Sequence, residues 1–185
     1  MEGNSEVKGS WFVSARAHLL DAMGEAGIEG VVARMGEHAE CLRDPLSGRW
    51  YPEIALQTLL HALDDELGND KAKFEAAMMG ATRQGVNTFF KTLLSLTTSR
   101  FLLRQVPVLW RMLRRKDGAT IKVESEGQAS VVHYSDFPWY EDPLYRRMAV
   151  ATLKAMVELN AGVVPEGRVV DWSRSSLTVR IEHPG

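Results

Sequence analysis

The chain has 185 residues, of which 45% are hydrophobic and 25% charged, a balance that excludes disorder and suits a soluble globular domain. Its 22 basic and 24 acidic side chains nearly cancel, so no overall charge draws it to nucleic acid or to an anionic membrane. Cys41 is the one cysteine, which rules out an intrachain disulfide and fits a reducing compartment. With no apolar run near the roughly 20 residues that span a bilayer, we predict a cytoplasmic protein.

The N-terminal part is predicted to be a short flexible lead-in followed by a helix. Residues 1 to 10 are polar and contain glycine, so we expect them to be flexible, ahead of a single domain over residues 11 to 185. Apolar residues then recur at helical spacing from Ser10, and Gly24 and Gly27 mark the end of that helix.

Two more helices and a loop are predicted next. A short helix covers residues 28 to 35, and residues 41 to 52 form an ordered loop rich in proline and glycine. Pro52 and Glu53 are typical of a first helical turn, and leucines follow at helical spacing as far as Leu67.

A fourth helix is predicted over residues 70 to 96, with two glycines inside it. Gly80 and Gly85 each cost up to about 1 kcal/mol relative to alanine in a helix interior. Two explanations remain open: another helix approaches closely at this surface, or the helix bends there.

The next segment is predicted to be an amphipathic helix from Thr98 to Lys116. Pro107 interrupts it, so a kink or a break into two helices is expected there. At about 100° per residue, one side is apolar and the opposite side is basic. The apolar side carries Leu102, Leu103, Val106, Leu109, Trp110 and Leu113, and the basic side carries Arg100, Arg104, Arg111 and Arg115.

Beyond Gly118 the hydrophobic period changes from helical to alternating, which predicts β-strands. Turns are expected at Asp117-Gly118 and Glu126-Gly127. The strands are predicted over residues 120–123, 129–134, 168–172 and 177–181, with a long helix between the two pairs. The fold class is therefore α+β: a helical layer of four or five helices, then hairpin, long helix and hairpin forming one antiparallel sheet packed on helices.

This order of elements, together with several short motifs, resembles a known superfamily. The motifs are Gly9-Ser10-Trp11-Phe12, Trp50-Tyr51-Pro52, Arg100-Phe101-Leu102-Leu103, Pro107-Val108-Leu109-Trp110 and Asp117-Gly118. The chain resembles the ligand-binding superfamily that contains H-NOX haem sensors, 4-vinyl reductase domains and the small TRAPP subunits of Golgi transport. Within it, the chain is most similar to a domain family of unknown function found mainly in myxobacteria.

The resemblance implies a sheet packed on a helical layer and association as a homodimer, and it allows a test for haem. In the H-NOX pattern, a histidine on a long helix binds iron and a Tyr-x-Ser-x-Arg motif holds the propionates. Residues 98 to 116 contain no histidine, and Tyr134 is followed by Asp136 and Pro138 where serine and arginine would stand. We therefore expect no haem of the H-NOX kind and assign no cofactor.

Metal binding and nucleophilic catalysis have weak sequence support. His61 and Asp65 are one helical turn apart, with His38 and Cys41 nearby, but a structural zinc site needs four ligands. Arg43 could lower the pKa of the Cys41 thiol, although a lone cysteine is more often a buried apolar residue. No catalytic motif is present, so we predict neither a metal site nor catalytic residues.

Two groups of side chains remain as candidate binding sites. The arginines of the basic side form either a solvated helix face or a docking surface for an acidic or phosphate-bearing partner, and nucleic acid is disfavoured because no aromatic residues alternate with them. The aromatic loop around Pro138 either caps the core or borders a ligand pocket. The candidate pocket residues are Phe89, Phe90, Leu94, Trp110, Phe137, Trp139 and Met148.

Two functions follow as hypotheses. The first is a non-catalytic regulatory or adaptor domain for signalling, which dimerises and binds a small apolar ligand or a protein partner. The alternative is an enzyme or pigment-binding protein of the 4-vinyl reductase type, acting on tetrapyrroles. The alternative requires a hydride or electron donor, and the sequence contains no dinucleotide-binding fingerprint.

Overall fold

The computed structural model describes residues 5–94 and 98–183, and of residues 87–94 it describes the helical backbone alone. The helices are α1 (Gly9–Arg34), α2 (Glu40–Arg43), α3 (Glu53–Glu66), α4 (Lys71–Leu94), α5 (Ser99–Arg104), α6 (Val106–Leu113) and α7 (Pro143–Ala161), with short 3-10 helices at Gly36–His38 and Pro138–Glu141. The strands are β1 (Glu6–Lys8), β2 (Trp50–Pro52), β3 (Arg114–Arg115), β4 (Thr120–Glu126), β5 (Ala129–Ser135), β6 (Gly167–Trp172) and β7 (Leu177–Glu182).

The C-terminal half contains the predicted antiparallel sheet, which confirms the α+β class. Its strand order is β4-β5-β7-β6, so the second hairpin joins the first through β5 and β7. Alternate residues of β7, namely Leu177, Val179 and Ile181, are fully buried, as expected for a strand with one face on the core. Helix α7 packs against β6 and β7, and also against α4, which ties the sheet to the helical layer.

A second, small sheet was not predicted. Its order is β2-β1-β3, and Val7 on the central strand pairs with Tyr51 on one side and Arg114 on the other. Val7 is completely buried, so residues 6 to 8 of the stretch expected to be flexible form a strand. Strands of two or three residues are too short to show an alternating pattern, which is why the sequence did not reveal them.

The segment predicted as a helix from Thr98 to Lys116 forms two helices, so of the two expected alternatives near Pro107 the break is present and not a simple kink. It breaks at Gln105 into α5 and α6, with Pro107 in the first turn of α6, where proline needs no amide hydrogen. It also ends at Leu113. The next two residues form β3 instead, because the backbone of β1 offers them hydrogen-bond partners.

Two glycines of the helical layer, Gly80 and Gly24, have different structural roles. A Cβ atom at Gly80 would lie 2.0 Å from Nε2 of His18 on α1, so a side chain there would have to displace the His18 imidazole. Close approach, and not a bend, therefore explains Gly80. Gly24 has φ 70° and ψ 179°, and this non-helical residue separates the two predicted helices within α1.

Among the residues that the structure describes, no helix is both long and apolar enough to cross a bilayer.

Candidate ligand cavity

A cavity of about 160 Å³ lies where the helical layer meets the sheet. Helices α1, α4, α6 and α7 form most of its wall, and β1, β3, β5 and the 3-10 helix at Pro138–Glu141 contribute the rest. Most lining side chains are apolar or aromatic, with a few polar groups among them, which is the usual composition of a small-molecule site. The lining residues include Ser10, Trp110, Arg114, Tyr134, Tyr140, Tyr145 and Met148.

Arg114 in the cavity wall belongs to a buried ion pair with Glu53 behind it. Nε of Arg114 donates a hydrogen bond to Oε1 of Glu53 over 3.2 Å, and the two side chains are only 6% and 0% exposed. The hydroxyl of Tyr145 is 3.1 Å from the same Oε1, and the hydroxyl of Ser5 donates to Oε2 over 3.3 Å. Glu53 is thus a buried carboxylate with three donors, as a buried charge requires.

The small sheet brings these distant residues together. Strand β2 ends at Pro52, directly before Glu53, and β3 begins with Arg114. Because β1 pairs with both strands, the two residues meet although they are 61 positions apart in sequence. Glu53 also opens helix α3, where the positive end of the helix dipole favours a carboxylate.

Three buried tyrosines surround the guanidinium of Arg114. Burial raises the pKa of Tyr134, Tyr140 and Tyr145, and the positive charge of Arg114 offsets only part of that rise. Their phenols therefore keep their protons at any ordinary pH. The cavity wall consequently offers neutral hydroxyl groups and no phenolate.

Two aromatic rings, those of Trp110 and Phe137, also contact the guanidinium of Arg114. The centre of the Arg114 guanidinium lies 4.1 Å from the ring centroid of Trp110, a cation–π distance. Trp110 in turn packs edge-on against Phe137 at 4.9 Å, and its Nε1 donates to Oδ2 of Asp117 over 2.6 Å. Asp117 belongs to the turn before β4. The indole of Trp110 is therefore positioned by both this hydrogen bond and its contact with Phe137.

The pocket residues proposed from the sequence fall into three groups. Trp110 and Met148 are among the lining residues of the cavity. Phe137 is completely buried beside it, against Trp110 and Tyr140, and Trp139 stacks on Tyr145 at 5.8 Å. The remaining three, Phe89, Phe90 and Leu94, lie outside the described side chains.

The sequence did not single out the polar residues of the cavity. Arg114 falls within the segment predicted to be an amphipathic helix, and the helical pattern gives no sign that it points inward. Tyr140 lies in the aromatic loop around Pro138 and Tyr145 in the predicted long helix, and neither is among the pocket residues proposed from the sequence. One local signal existed: Glu53 in the first turn of α3 is a favourable place for a buried charge.

The four arginines of the predicted basic side are mostly engaged within the chain. Arg100 donates to the carbonyl of Gly127, and Nη2 of Arg104 lies 3.5 Å from the Ser125 hydroxyl, so both reach the first hairpin. Arg115 pairs with Glu6 across the small sheet. Arg111 is exposed on α6.

The metal candidates are not gathered into one site. Nε2 of His61 lies 2.7 Å from Oδ2 of Asp142, which also accepts a hydrogen bond from Gln57. Within residues 5–94 and 98–183, side chains of 87–94 aside, no group of three or more potential metal ligands occurs. Burial raises the pKa of the Cys41 thiol to about 12, so Arg43 does not activate it.

The lining residues also bear on haem. Histidine, cysteine and tyrosinate are the usual axial ligands of haem iron, and methionine serves as a partner to histidine. The lining residues that the structure describes include neither histidine nor cysteine, and their tyrosines resist deprotonation. The volume of about 160 Å³ is below the roughly 300 Å³ at which pockets for drug-sized ligands begin. These residues do not fit a haem group.

Comparison with solved structures shows which class of protein shares this fold. The Fe(II) unliganded H-NOX protein from K. algicida is 11% identical with a TM-score of 0.68, and the alignment covers 96% of this chain and 97% of that one. An oxygen-binding H-NOX domain related to soluble guanylate cyclases is 13% identical with a TM-score of 0.66, covering 96% and 95%. A point mutant of T. tengcongensis H-NOX is 15% identical with a TM-score of 0.64, covering 96% and 98%.

The chain therefore has the fold of H-NOX domains over nearly its whole length. No protein-family model matches it, and no curated protein matches its sequence. At such low identities the likeness extends to the fold alone.

Proposed function

We propose that this chain is a non-catalytic regulatory or adaptor domain that binds a small ligand in the aromatic cavity, and that it does so without haem of the H-NOX kind. The observation that carries the proposal is an aromatic cavity inside an H-NOX-like fold, with Arg114 of the buried Arg114–Glu53 pair in its wall. The fold is shared with H-NOX domains, and the cavity lining offers aromatic rings, neutral hydroxyl groups and a guanidinium. We further propose that the protein belongs to the myxobacterial domain family that its sequence resembles, and that it is cytoplasmic.

The haem-free part of the proposal rests on both size and ligands. Residues 98 to 116 contain no histidine, and the described lining provides none from elsewhere. A cavity of about 160 Å³ is close to the roughly 150 Å³ of an engineered cavity that binds benzene. The ligand is thus expected to be a single-ring or short aliphatic molecule, much smaller than a tetrapyrrole.

The regulatory part of the proposal involves a partner surface and a homodimer. Helices α5 and α6 expose Phe101, Val108 and Met112, which are 46%, 51% and 43% accessible. Arg104 and Arg111 are exposed on the same two helices. Apolar side chains bordered by arginine are typical of protein interfaces, and α6 also lines the cavity, so ligand binding and partner binding would involve one helix.

Native mass spectrometry of freshly purified protein tests the ligand part. We expect a mass above that of the polypeptide, which returns to the bare value after denaturation. The variant Ala149→Leu, which places a larger side chain in the cavity wall, should lose the extra mass while keeping a cooperative thermal transition. A bare mass for the unaltered chain, with no shift upon exposure to small aromatic or aliphatic compounds, would leave only the adaptor role.

Absorbance spectroscopy tests the haem-free part and the alternative function together. We expect a colourless protein that gains no sharp Soret band when hemin is added in equimolar amount. Red-brown protein with such a band would contradict the proposal. A bound tetrapyrrole pigment or flavin would instead favour an enzyme or pigment-binding protein of the 4-vinyl reductase type.

Light scattering coupled to size-exclusion chromatography tests the dimer. The expected result is twice the mass of one chain at micromolar concentration, reduced to one chain by Val108→Glu on the exposed face of α6. Exposed Ile54→Glu on α3 serves as the matched control, and it should leave the mass unchanged. A monomer for the unaltered chain at all concentrations would refute dimerisation.

A further inference from the structure

Three residues that line the cavity carry buried polar atoms that have no partner in the protein. Seven buried side-chain nitrogen or oxygen atoms of the described residues lack a hydrogen-bond partner. Three of them belong to residues that line this one cavity: Nη2 of Arg114, the hydroxyl of Tyr140 and the hydroxyl of Ser10. Unpartnered buried polar atoms are rare and cost free energy, so three on residues that line one cavity point to a ligand or to ordered water.

The chemistry of these atoms defines what the ligand must offer. A guanidinium nitrogen is only a donor, and a hydroxyl can also donate. The Arg114 side chain is 6% exposed and Tyr140 is 1% exposed, so bulk water does not satisfy them. A ligand oxygen with free lone pairs would supply the missing acceptor, whereas a pure hydrocarbon would leave the donors unpaired.

The charge balance of the cavity favours an uncharged ligand. The positive charge of Arg114 is already matched by Glu53, and the other buried polar groups around it are neutral phenols. Lys8 is the other cation among the described lining residues, and its Nζ lies 5.5 Å from the ring centroid of Trp50, which is not a lining residue. A bound anion would therefore be buried without a counter-charge, which is costly in a low-dielectric interior.

On the basis of the proposed function, we propose that the ligand is a small uncharged molecule, about the size of one aromatic ring, whose carbonyl or ether oxygen accepts hydrogen bonds from Arg114 and Tyr140. The apolar remainder of the ligand would contact Val106, Leu109 and Met156. Because a water occupies about 30 Å³ in the liquid, binding displaces several waters from a cavity of this volume.

Three probes of matched shape test this assignment by calorimetric titration of the full chain at pH 7. Acetophenone carries a neutral carbonyl, α-methylstyrene replaces that oxygen with a CH₂ group, and benzoate carries a negative charge. We expect acetophenone to bind about three- to tenfold more tightly than α-methylstyrene, the gain of one net hydrogen bond. Benzoate should bind more weakly than acetophenone.

The variant Tyr140→Phe identifies the donor. It removes a hydroxyl that has no partner in the protein, so the fold should be retained. The advantage of acetophenone over α-methylstyrene should then shrink, because Arg114 alone remains as a donor. The matched control is Tyr51→Phe, which removes a buried tyrosine hydroxyl bonded to the Leu46 amide outside the cavity, and it should leave the affinity ratio unchanged.

The possible outcomes separate this inference from the function on which it rests. Equal affinity for acetophenone and α-methylstyrene, or no effect of Tyr140→Phe, would overturn the proposed hydrogen bonds to a ligand oxygen. The proposal that the cavity binds a ligand would remain. Tightest binding of benzoate would overturn the uncharged ligand. If no probe binds but native mass spectrometry shows another co-purified molecule, the ligand class is wrong. If neither shows binding, the proposed function fails as well.

Discussion

Two arginine–carboxylate pairs in this molecule have almost the same separation and opposite surroundings. In the cavity wall, Nε of Arg114 is 3.2 Å from Glu53, and the side chains are 6% and 0% exposed. Near the loop between β6 and β7, Nε of Arg174 is 3.1 Å from Glu141, and the side chains are 76% and 66% exposed. A contact distance alone therefore says little about what a pair contributes.

The difference lies in what happens when one partner is missing. Water solvates Arg174 and Glu141 whether or not they touch, so their attraction is small. Glu53 has no water to replace Arg114, and it depends on a fixed set of donors from Arg114, Tyr145 and Ser5. The buried pair is thus one network with the tyrosines around it, and disturbing any member affects the rest.

The largest effect should come from alkaline pH, which acts on three buried tyrosines together. Burial raises the folded-state pKa of Tyr134, Tyr140 and Tyr145 above the ordinary value of about 10. Their contribution is complete below pH 10 and is lost as the pH rises toward the folded-state pKa, because the unfolded chain releases protons first. The urea midpoint should therefore fall steadily above pH 10, and less steeply in Tyr134→Phe. A midpoint that stays constant to pH 11 would show that the tyrosines are not buried in this way.

The next largest effect should come from Arg114→Met, which leaves the Glu53 carboxylate buried without its counter-charge. We expect a loss of about 3–5 kcal/mol in the free energy of unfolding, measured by urea denaturation at pH 7. The double variant with Glu53→Leu should lose less than Arg114→Met alone, since no unpaired charge remains. A double variant less stable than the single one would mean that the carboxylate tolerates isolation.

Tyr145→Phe should have a smaller effect, because it removes one donor and leaves the ion pair. The hydroxyl lies 3.1 Å from Oε1 of Glu53 and 3.2 Å from its carbonyl oxygen. We expect a loss of about 1–3 kcal/mol by urea denaturation. A double-mutant cycle with Arg114→Met should show coupling between the two changes. Strict additivity would argue against one network.

The smallest effect should come from Arg174→Ala at the exposed pair. The expected loss is below about 1 kcal/mol, and salt should reduce it further by screening. Thermal unfolding in low and high salt measures both. If this variant lost as much stability as Arg114→Met, burial would not be what distinguishes the two pairs.

The sequence predicted the elements whose pattern is local. The helix that begins at Glu53, the long helix between the two strand pairs and the turns at Asp117-Gly118 and Glu126-Gly127 are all present. Each depends on residues within one or two turns of chain, through hydrophobic spacing, prolines in first turns and glycines with positive φ. The α+β class followed from their order.

Most of the cavity lining could not be predicted from local sequence patterns. The sequence proposed Trp110 and Met148 for a pocket because aromatic and apolar residues border ligands, and both are lining residues. The polar groups of the wall were missed, because their importance comes from contacts with residues far away in the chain. Arg114 and Arg115 are sequence neighbours, yet one is buried against Glu53 and the other is exposed beside Glu6.

The amino-acid sequence by itself determined most of the long helices, the four long strands and the fold class, because hydrophobic periodicity and turn residues act over short distances. Only the tertiary structure decided which arginine faces inward. The reason is the small sheet, whose strands β1, β2 and β3 come from three separate parts of the chain and are too short to be recognised alone. Once they pair, Val7 fixes Tyr51 and Arg114 on either side, and the carboxylate of Glu53 meets its counter-charge inside the protein.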